Sequence, residues 1–217
     1  MCMYTLNKRN PIVLASQSPR RRRLLEQAQI AFSVKPSGID EDAISGPEPQ
    51  SHAQILAAAK AEAVAKHYPD AWVIGADSIV VIDDMILNKP ESAAGARQML
   101  WRLSGRTHRV ITGYSIWCES RNHRHSNTCI TEVTFKELTE DEINWYTQTP
   151  EPRDKAGGYA IQGIAAFMVK SIHGSYTNVV GLPVCEVLQH LTDHGAIRRR
   201  PEPGHGPALA DAGTRCC

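Results

Sequence analysis

Apolar residues in the first third of the chain fall into short runs separated by helical patterns. Residues 12–15 form a continuous apolar run, which favours a short buried strand. Ser18 and Pro19 follow, and proline at the first helical position is typical of a helix start. A second short strand is predicted near residues 32–35. The pattern therefore predicts a strand–loop–helix unit at the start of an α/β fold.

An alanine-rich helix and a hairpin come next. The segment Ser51-His52-Ala53-Gln54 reads as a capping box, so the helix is predicted from Ser51 to about His67. The apolar side chains available for burial on it are Ile55, Leu56, Ala59, Ala63 and Val64. Residues 72–76 predict a buried strand, and residues 79–82 predict a strand paired with 85–87 across Asp83-Asp84. Asp77 lies between the two apolar runs.

The rest of the chain predicts three helices and three strands. The helices are expected at about residues 92–103, 139–148 and 183–194. The strands are expected at residues 107–118, 128–136 and 165–172, with a polar loop over 119–127. From residue 197 onward the chain has too few apolar residues to offset the entropy of ordering. We therefore predict one domain over residues 1–196 and a disordered tail over 197–217.

Composition limits the function classes. The chain has 217 residues, 42% of them hydrophobic, and a formal net charge of +1. A charge this close to zero argues against bulk electrostatic affinity for nucleic acid or for a membrane surface. Because the sequence has no run of about 18 apolar residues and no secretory signal, we expect a cytoplasmic protein. Its six cysteines show no C-x-x-C pair or zinc spacing, so free thiols are expected.

The segment Ser16-Gln17-Ser18-Pro19-Arg20-Arg21 is the first candidate for chemistry. It joins the first strand to the first helix, where backbone N–H groups and arginine forks can converge on a polyphosphate. Arg22 and Arg23 are expected to face solvent. A solvated basic face is the alternative interpretation of the arginine run.

Two segments carry candidate carboxylates. In Gly75-Ala76-Asp77-Ser78 the small residues would let a ligand approach the backbone, and Asp77 could serve as a general base or a metal ligand. A turn aspartate is the alternative. The triplet Asp40-Glu41-Asp42 could supply an oxygen ligand to magnesium or manganese, although a solvated loop is the commoner explanation.

Further cations and amides come from later segments. Lys60 in the alanine-rich helix and Lys89 before Pro90 could neutralise a phosphoryl group, or could simply be surface lysines. In the glycine-rich loop of residues 151–163, Lys155 can meet phosphate and Gln162 can pair with a base edge. This loop matches neither G-x-G-x-x-G nor the P-loop pattern.

Histidine and serine chemistry find little support in the sequence. His123 and His125 lie two residues apart in a polar segment with no third ligand in evidence, and H-E-x-x-H is absent. We therefore expect no zinc. No G-x-S-x-G segment occurs, so a serine hydrolase is not indicated.

Six segments in order resemble signatures of the Maf family of nucleoside triphosphate pyrophosphatases. They are residues 14–21, Gly75-Ala76-Asp77-Ser78, Lys89-Pro90, residues 103–108, Asp154-Lys155-Ala156-Gly157 and residues 174–183. The resemblance covers residues 12–191. It implies an α/β fold with a long mixed β-sheet, flanking helices and two lobes around a central cleft, as in Maf and ITPase-like proteins. Homodimers are common in this family.

The resemblance also implies an activity: metal-assisted hydrolysis of a nucleoside triphosphate between the α and β phosphates. Asp77 stands at the position of the catalytic carboxylate, as general base or metal ligand, and Glu41 matches an acidic position that serves the Mg or Mn ion. The positions that match the family's triphosphate site are Ser16, Arg21, Lys60, Lys89 and Lys155. No nucleic acid and no membrane partner is implied.

Three positions point to a branch of the family. The dTTP/UTP branch resembles this chain in carrying Arg20, a hydroxyl residue at Ser78 and an amide at Gln162, whereas the 7-methyl-GTP branch tends to carry an aromatic, glutamine and glutamate. A neutral amide suits a neutral pyrimidine better than a cationic methylated guanine. The dTTP/UTP branch more often has threonine where this chain has Ser78, so CTP and modified uridine nucleotides stay open.

Two rival functions use the same residues differently. A nucleic-acid-binding module would use Arg20–Arg23 together with the basic segment Arg198–Arg200. A non-catalytic regulator linked to cell division is the other alternative, since the resembling family has been associated with septum inhibition. Such a role would survive Asp77→Asn.

Overall fold

The computed structural model describes residues 4–6, 11–44 and 46–199. The strands are β1 (Tyr4–Leu6), β2 (Ile12–Leu14), β3 (Ser33–Val34), β4 (Trp72–Ile82), β5 (Met85–Leu87), β6 (Thr107–Cys118), β7 (His123–Phe135), β8 (Val169–His173) and β9 (Ile197–Arg199). The helices are α1 (Pro19–Gln27), α2 (Pro49–Ala65), α3 (Ala93–Leu103), α4 (Glu140–Thr147), α5 (Tyr176–Val180) and α6 (Val184–Asp193).

The main sheet is mixed, with strand order β3-β2-β4-β6-β7-β8 and β5 paired to β4. β2 runs parallel to both β3 and β4, while β4, β6, β7 and β8 pair antiparallel in turn. The expected α/β architecture with a long mixed sheet is confirmed. No helix among the described residues is long and apolar enough to span a membrane.

Strand β4 organises the packing because its side chains alternate between the two faces of the sheet. One face packs at one end against α1 and α6, through residues such as Trp72 and Ile74. At the other end the same face packs against α3 and α4, through Val80 and Ile82. These two apolar clusters form two lobes, and the opposite face is covered by α2.

Helix α2 lies unusually close to the sheet backbone. A Cβ at Gly75 would stand 2.2 Å from the carbonyl oxygen of Ala57, and one at Gly113 would stand 2.2 Å from that of Ala53. Only glycine therefore fits beneath the helix at these two positions. The expectation that Gly75 leaves room for a ligand is wrong, since α2 takes that space.

The edge of β4 that faces β2 and β5 is open in the middle. β2 pairs with β4 as far as Ile74, and β5 pairs with it from Val80 onward. Between them β4 continues unbroken through Asp77, which the sequence placed between two separate strands. A break between paired segments of a sheet leaves a crevice where the lobes diverge, which is a common position for ligand sites.

Several predicted boundaries are wrong. Helix α2 begins at Pro49 rather than Ser51, its N-cap Glu48 makes no side-chain capping bond, and Ile55 is 41% exposed. The helix buries Leu56 and Val64 together with the small residues Ala53, Ala57 and Ala61. These small residues allow the close approach of α2 to the sheet. By contrast, the capping box at Thr139 and Glu142 is confirmed, with both reciprocal hydrogen bonds present.

Later elements also differ from expectation. The predicted polar loop shrinks to residues 119–122, where Asn122 has φ +49°, and β7 begins at His123. A 3-10 helix occupies Ile164–Met168 before β8. The short helix α5 was not predicted.

The predicted start of the tail at residue 197 is wrong by three residues. Ile197–Arg199 form β9, which pairs antiparallel with β1, and Ile197 is fully buried. The cause is a long-range pairing partner at the other end of the chain, which composition does not reveal. Residues 200–217 lie outside the described residues, so the disorder expected there stays a prediction.

Candidate active site

A cleft of about 1020 Å³ lies at the open edge of β4 between the two lobes. The ten residues singled out from the sequence all line it: Ser16, Arg20, Arg21, Glu41, Lys60, Asp77, Ser78, Lys89, Lys155 and Gln162. They come from separate chain segments, so the fold brings together residues that the sequence holds far apart.

An ionic triad occupies the face of β4 that is covered by α2. The Lys60 ammonium lies 2.8 Å from Asp77 Oδ1 and 2.8 Å from Glu41 Oε2. The side chains of Lys60 and Asp77 are only 6% and 12% exposed, whereas that of Glu41 is 52% exposed. The close seating of α2 over Gly75 holds Lys60 at this depth.

The triad carries one ammonium against two carboxylates, which leaves a net negative charge at the floor of the cleft. Carboxylate oxygens are the donors that Mg²⁺ and Mn²⁺ prefer. Glu41 and Asp77 meet at the same ammonium, so the two carboxylates already converge on one point. The donor set therefore suits a hard divalent cation.

Arg21 forms a second network on the opposite face of β4. Its Nε donates to the carbonyl oxygen of Gly181 at 2.7 Å, Nη1 donates to Ser16 Oγ at 3.0 Å, and Nη2 donates to Ser78 Oγ at 3.1 Å. Burial lowers the pKa of Arg21, and the nearby charge of Asp77 opposes that shift. Three of its five N–H donors thus hold protein groups in place, and two remain for a ligand.

The hydroxyl of Ser78 continues this network into the core. Thr112 Oγ1 donates to the carbonyl oxygen of Asn178 at 3.1 Å, so at the 2.8 Å contact between the two hydroxyls Ser78 is the donor, in preference to the carbonyl oxygen of Gly181 at 3.4 Å. A directed chain therefore runs from Arg21 through Ser78 and Thr112 to the backbone of Asn178. Such a chain fixes each hydroxyl in one orientation.

Sequence reasoning missed Thr112 and gave no role to Asn178. Both are fully buried, and Asn178 Nδ2 donates to the carbonyl oxygen of Val110 at 3.0 Å and to Thr131 Oγ1 at 2.9 Å. Asn178 lies in residues 174–183, one of the six segments that resemble the family signatures, so that resemblance could have identified it. Thr112 lies in an apolar strand and offers no such signal.

The loop between β2 and α1 is held by its own hydroxyls. Ser18 caps α1 by accepting a hydrogen bond from the backbone N–H of Arg21 at 3.4 Å. Ser16 Oγ accepts from the backbone N–H of Ser18 at 3.3 Å. This geometry directs the N-terminal end of α1 into the cleft, where its partial positive charge favours an anion.

The remaining predicted residues lie around the rim. Arg20 is half-buried, and burial lowers its pKa against the opposing charge of Asp154. Lys155 pairs with Asp154. Lys89 and Gln162 are exposed to the cleft. Arg22 and Arg23 face solvent as expected, and Arg22 pairs with Glu26.

The histidines contradict one expectation. His123 lies beside His190 and His194, and one ring nitrogen from each falls within 4.8 Å of the others. The expectation that His123 has no third ligand nearby is therefore wrong. Its two partners lie at the end of α6, far along the chain, so the spacing of residues around His123 did not reveal them.

Comparison with known proteins identifies a family model and similar sequences. The family model described as Maf-like protein matches residues 11–194. The chain is 48% identical over 186 residues to a dTTP/UTP pyrophosphatase of Syntrophus aciditrophicus, covering 86% of this chain and 91% of that relative. It is 50% identical over 190 residues to a dTTP/UTP pyrophosphatase of Citrifermentans bemidjiense, covering 88% and 98%.

Among solved structures, the chain is similar to a HAM1 protein from Coxiella burnetii with a TM-score of 0.40 and 16% identity. That alignment covers 58% of this chain and 73% of the other.

Proposed function

The chain belongs to the Maf family, and we propose that its cleft hydrolyses dTTP and UTP to the nucleoside monophosphate and pyrophosphate. The observation that carries this proposal is Asp77. It is a buried carboxylate at the open edge of β4, paired to Lys60 and surrounded by the cations expected of a triphosphate site. The named relatives act on these same two nucleotides.

Asp77 is the general base in this proposal. A carboxylate that must accept a proton from water needs to be ionised and held in one orientation. The Lys60 ammonium holds the Asp77 carboxylate in one orientation, because it contacts Oδ1 and because α2 fixes the position of Lys60. The attacking water would then add to the α-phosphorus, with pyrophosphate as the leaving group.

A divalent cation, Mg or Mn, is part of the proposal. Glu41 and Asp77 would hold it through carboxylate oxygens, which agrees with their convergence on one ammonium. When bound, the cation supplies positive charge that offsets the charge of the polyphosphate. The same convergence would also let Asp77 serve as a metal ligand beside its role as base.

The triphosphate would lie between the N-terminal end of α1 and the rim cations. Ser16, Arg20, Arg21, Lys89 and Lys155 all line the cleft. Spread cationic charge of this kind stabilises a phosphoryl-transfer transition state without a covalent intermediate. The protein's own hydrogen bonds to Arg21 hold that guanidinium ready for a ligand.

Base selection falls to Ser78, Arg20 and Gln162. Gln162 presents both an amide donor and an amide acceptor, which suits the edge of a neutral pyrimidine. CTP and modified pyrimidine nucleotides are secondary substrates in this proposal. We also infer a cytoplasmic homodimer, which light scattering after gel filtration would test.

The test is pyrophosphate release from dTTP, UTP, CTP, GTP and 7-methyl-GTP with magnesium or manganese. We expect dTTP and UTP to give the highest kcat/KM. Asp77→Asn should lose about 10²–10⁴-fold in kcat, the range expected when a general base is removed. Asp84→Asn is the matched control, since Asp84 is an exposed turn carboxylate that pairs with Arg109, and it should retain wild-type activity.

The outcomes separate the alternatives. If 7-methyl-GTP leads, the assignment of Arg20, Ser78 and Gln162 to a pyrimidine is wrong. If Asp77→Asn keeps full activity, the proposed base is wrong. An absence of turnover on every nucleotide would favour a binding or regulatory role.

A further inference from the structure

A cluster of four histidines lies away from the cleft, between strand β7 and helix α6. We call His123, His125, His190 and His194 the histidine cluster. His123 Nε2 lies 2.8 Å from His190 Nε2, and one nitrogen each of His123, His190 and His194 falls within 4.8 Å of the others. The His125 ring stacks on His190 with centroids 4.1 Å apart and an interplanar angle of 21°.

The periodicities of the two elements bring these rings together. His190 and His194 are four residues apart in α6 and share one helix face. His123 and His125 are two residues apart in β7 and share one sheet face. The cluster rests on Trp72, whose ring centroid is 5.0 Å from that of His123 and 6.2 Å from that of His194.

The histidine cluster is remote from Asp77. Trp72 and Asp77 are five residues apart in the same strand, which corresponds to about 16–17 Å at the rise of a β-strand. The two sites also differ in donor chemistry, because the cleft offers carboxylate oxygens and the cluster offers imidazole nitrogens. An ion suited to one is poorly suited to the other.

We propose that His123, His190 and His194 form a binding site for a divalent transition-metal ion of the zinc type. Three imidazole ligands with a fourth position left to water match a known coordination pattern of Zn²⁺. His125, stacked on His190, would orient that ring rather than bind the ion. The site is independent of the proposed pyrophosphatase function.

The geometry needs only small ring rotations. Tetrahedral Zn–N bonds of about 2.0–2.1 Å place ligand nitrogens about 3.3 Å apart. The Nε2 atoms of His123 and His190 are 2.8 Å apart, and one nitrogen from each of the three rings lies within 4.8 Å of the other two, so the required spacing falls within this range. At the 2.8 Å contact one Nε2 carries a proton that the other Nε2 accepts. For both atoms to bind a metal ion, the donating ring takes its other tautomer, with the proton on Nδ1.

A bound ion would join α6 to the sheet. α6 ends at Asp193 and is followed within a few residues by buried Ala196 and by β9, whose first residue Ile197 is also buried. Holding its last turn against β7 would therefore stabilise the end of the fold. Binding to the folded chain alone raises the melting temperature by mass action.

The test uses the untagged full-length protein, stripped of metal and then saturated with Mg²⁺ so that the cleft is occupied. Zn²⁺ is titrated by calorimetry, and Co²⁺ is titrated by visible absorption, which distinguishes a four-coordinate site from a hydrated ion. We expect one Zn²⁺ per chain and a higher melting temperature. His194→Ala and His190→Gln should each weaken binding by at least about tenfold.

His173→Ala is the matched control, because His173 is an exposed histidine on β8 outside the cluster. It should bind Zn²⁺ as the wild type does. His194 is itself exposed, so its replacement should leave folding intact, and circular dichroism checks this.

Two results would overturn the proposal. One is the absence of stoichiometric binding by the wild type, which would leave the rings as a packed cover over Trp72. The other is binding that survives His194→Ala and His190→Gln but disappears in a variant lacking His205, Cys216 and Cys217. That outcome would assign the metal to the C-terminal segment.

Discussion

Asp77 and Ser78 are neighbours in one strand, yet they belong to opposite kinds of environment. Asp77 faces α2 and meets charged groups, of which Glu41 is half-exposed. Ser78 faces the lobes and joins a chain of neutral hydroxyls that ends in the buried backbone. The first arrangement carries charge that a ligand can compete for, and the second fixes geometry. A strand with two faces thus supplies both functions within two residues.

The largest expected effect tests the ionic face. Lys60→Met removes the only cation of the triad and leaves Asp77 buried beside a second carboxylate. Breaking a buried pair in this way costs about 3–5 kcal/mol. Urea unfolding in EDTA should show this loss. Added Mg²⁺ should restore part of it, because the two carboxylates are then free to bind a cation.

Lys66→Met is the control for that measurement. Lys66 follows the same helix and pairs with Glu62 at the surface, with side chains 64% and 43% exposed. Its replacement should change the unfolding free energy by less than about 1 kcal/mol. Equal losses for the two lysines would mean that burial of the triad does not matter.

The second prediction tests the hydrogen-bonded face that carries Ser78. Arg21→Met leaves the carbonyl of Gly181 and the hydroxyls of Ser16 and Ser78 without their donor. We expect a loss of about 3 kcal/mol in unfolding free energy, since each buried polar group left unpaired costs about 1–3 kcal/mol. Arg22→Met, on the exposed side of the same helix, should be nearly neutral, and a similar loss there would contradict this assignment.

The third prediction concerns the acid sensitivity of the unfolding free energy, through a histidine on the same face of the sheet as Ser78. Burial lowers the pKa of His108 to about 4, and His108 Nε2 is hydrogen-bonded to Tyr159 Oη at 2.8 Å. Between pH 6.5 and 4 the unfolded chain binds a proton that the folded chain refuses, so stability falls as the pH falls. The loss should be about 2–3 kcal/mol across this window.

His108→Phe is the variant that isolates this effect. It keeps an aromatic ring against Phe135 and cannot titrate, although it leaves the Tyr159 hydroxyl unpaired. Its stability at pH 7 should be lower than that of the wild type, and its unfolding free energy should fall less steeply between pH 6.5 and 4. An unchanged slope would assign the acid sensitivity to other groups.

The candidate site could be predicted because its residues lie in short contiguous segments. Ser16 to Arg21 follows the end of β2, and Gly75 to Ser78 places polar groups directly after an apolar run, although β4 continues through that segment. What the sequence could not supply is the pairing across the chain. The hydroxyl contact from Ser78 to Thr112 depends on the register between β4 and β6.

The errors in the fold have the same origin. The alanine-rich helix seats its small residues over Gly75 and Gly113 and buries Leu56 and Val64 as predicted, but it leaves Ile55 exposed. β9 forms because β1 is available, and the histidine cluster forms because α6 crosses β7. Each depends on a partner outside the local segment, which local propensity does not encode, and for β9 and the histidine cluster that partner is more than sixty residues away.

The pairing of β1 with β9 has a consequence for engineering. Tyr4 lies opposite Arg199 in an antiparallel register, so the chain enters β1 and leaves β9 at the same end of the pair. Folds whose ends are neighbours are suited to circular permutation. A short linker could join these strands, and new ends could open at the Asp83-Asp84 turn, which lies at the surface. Within residues 4–199 the first and last strands are thus direct neighbours.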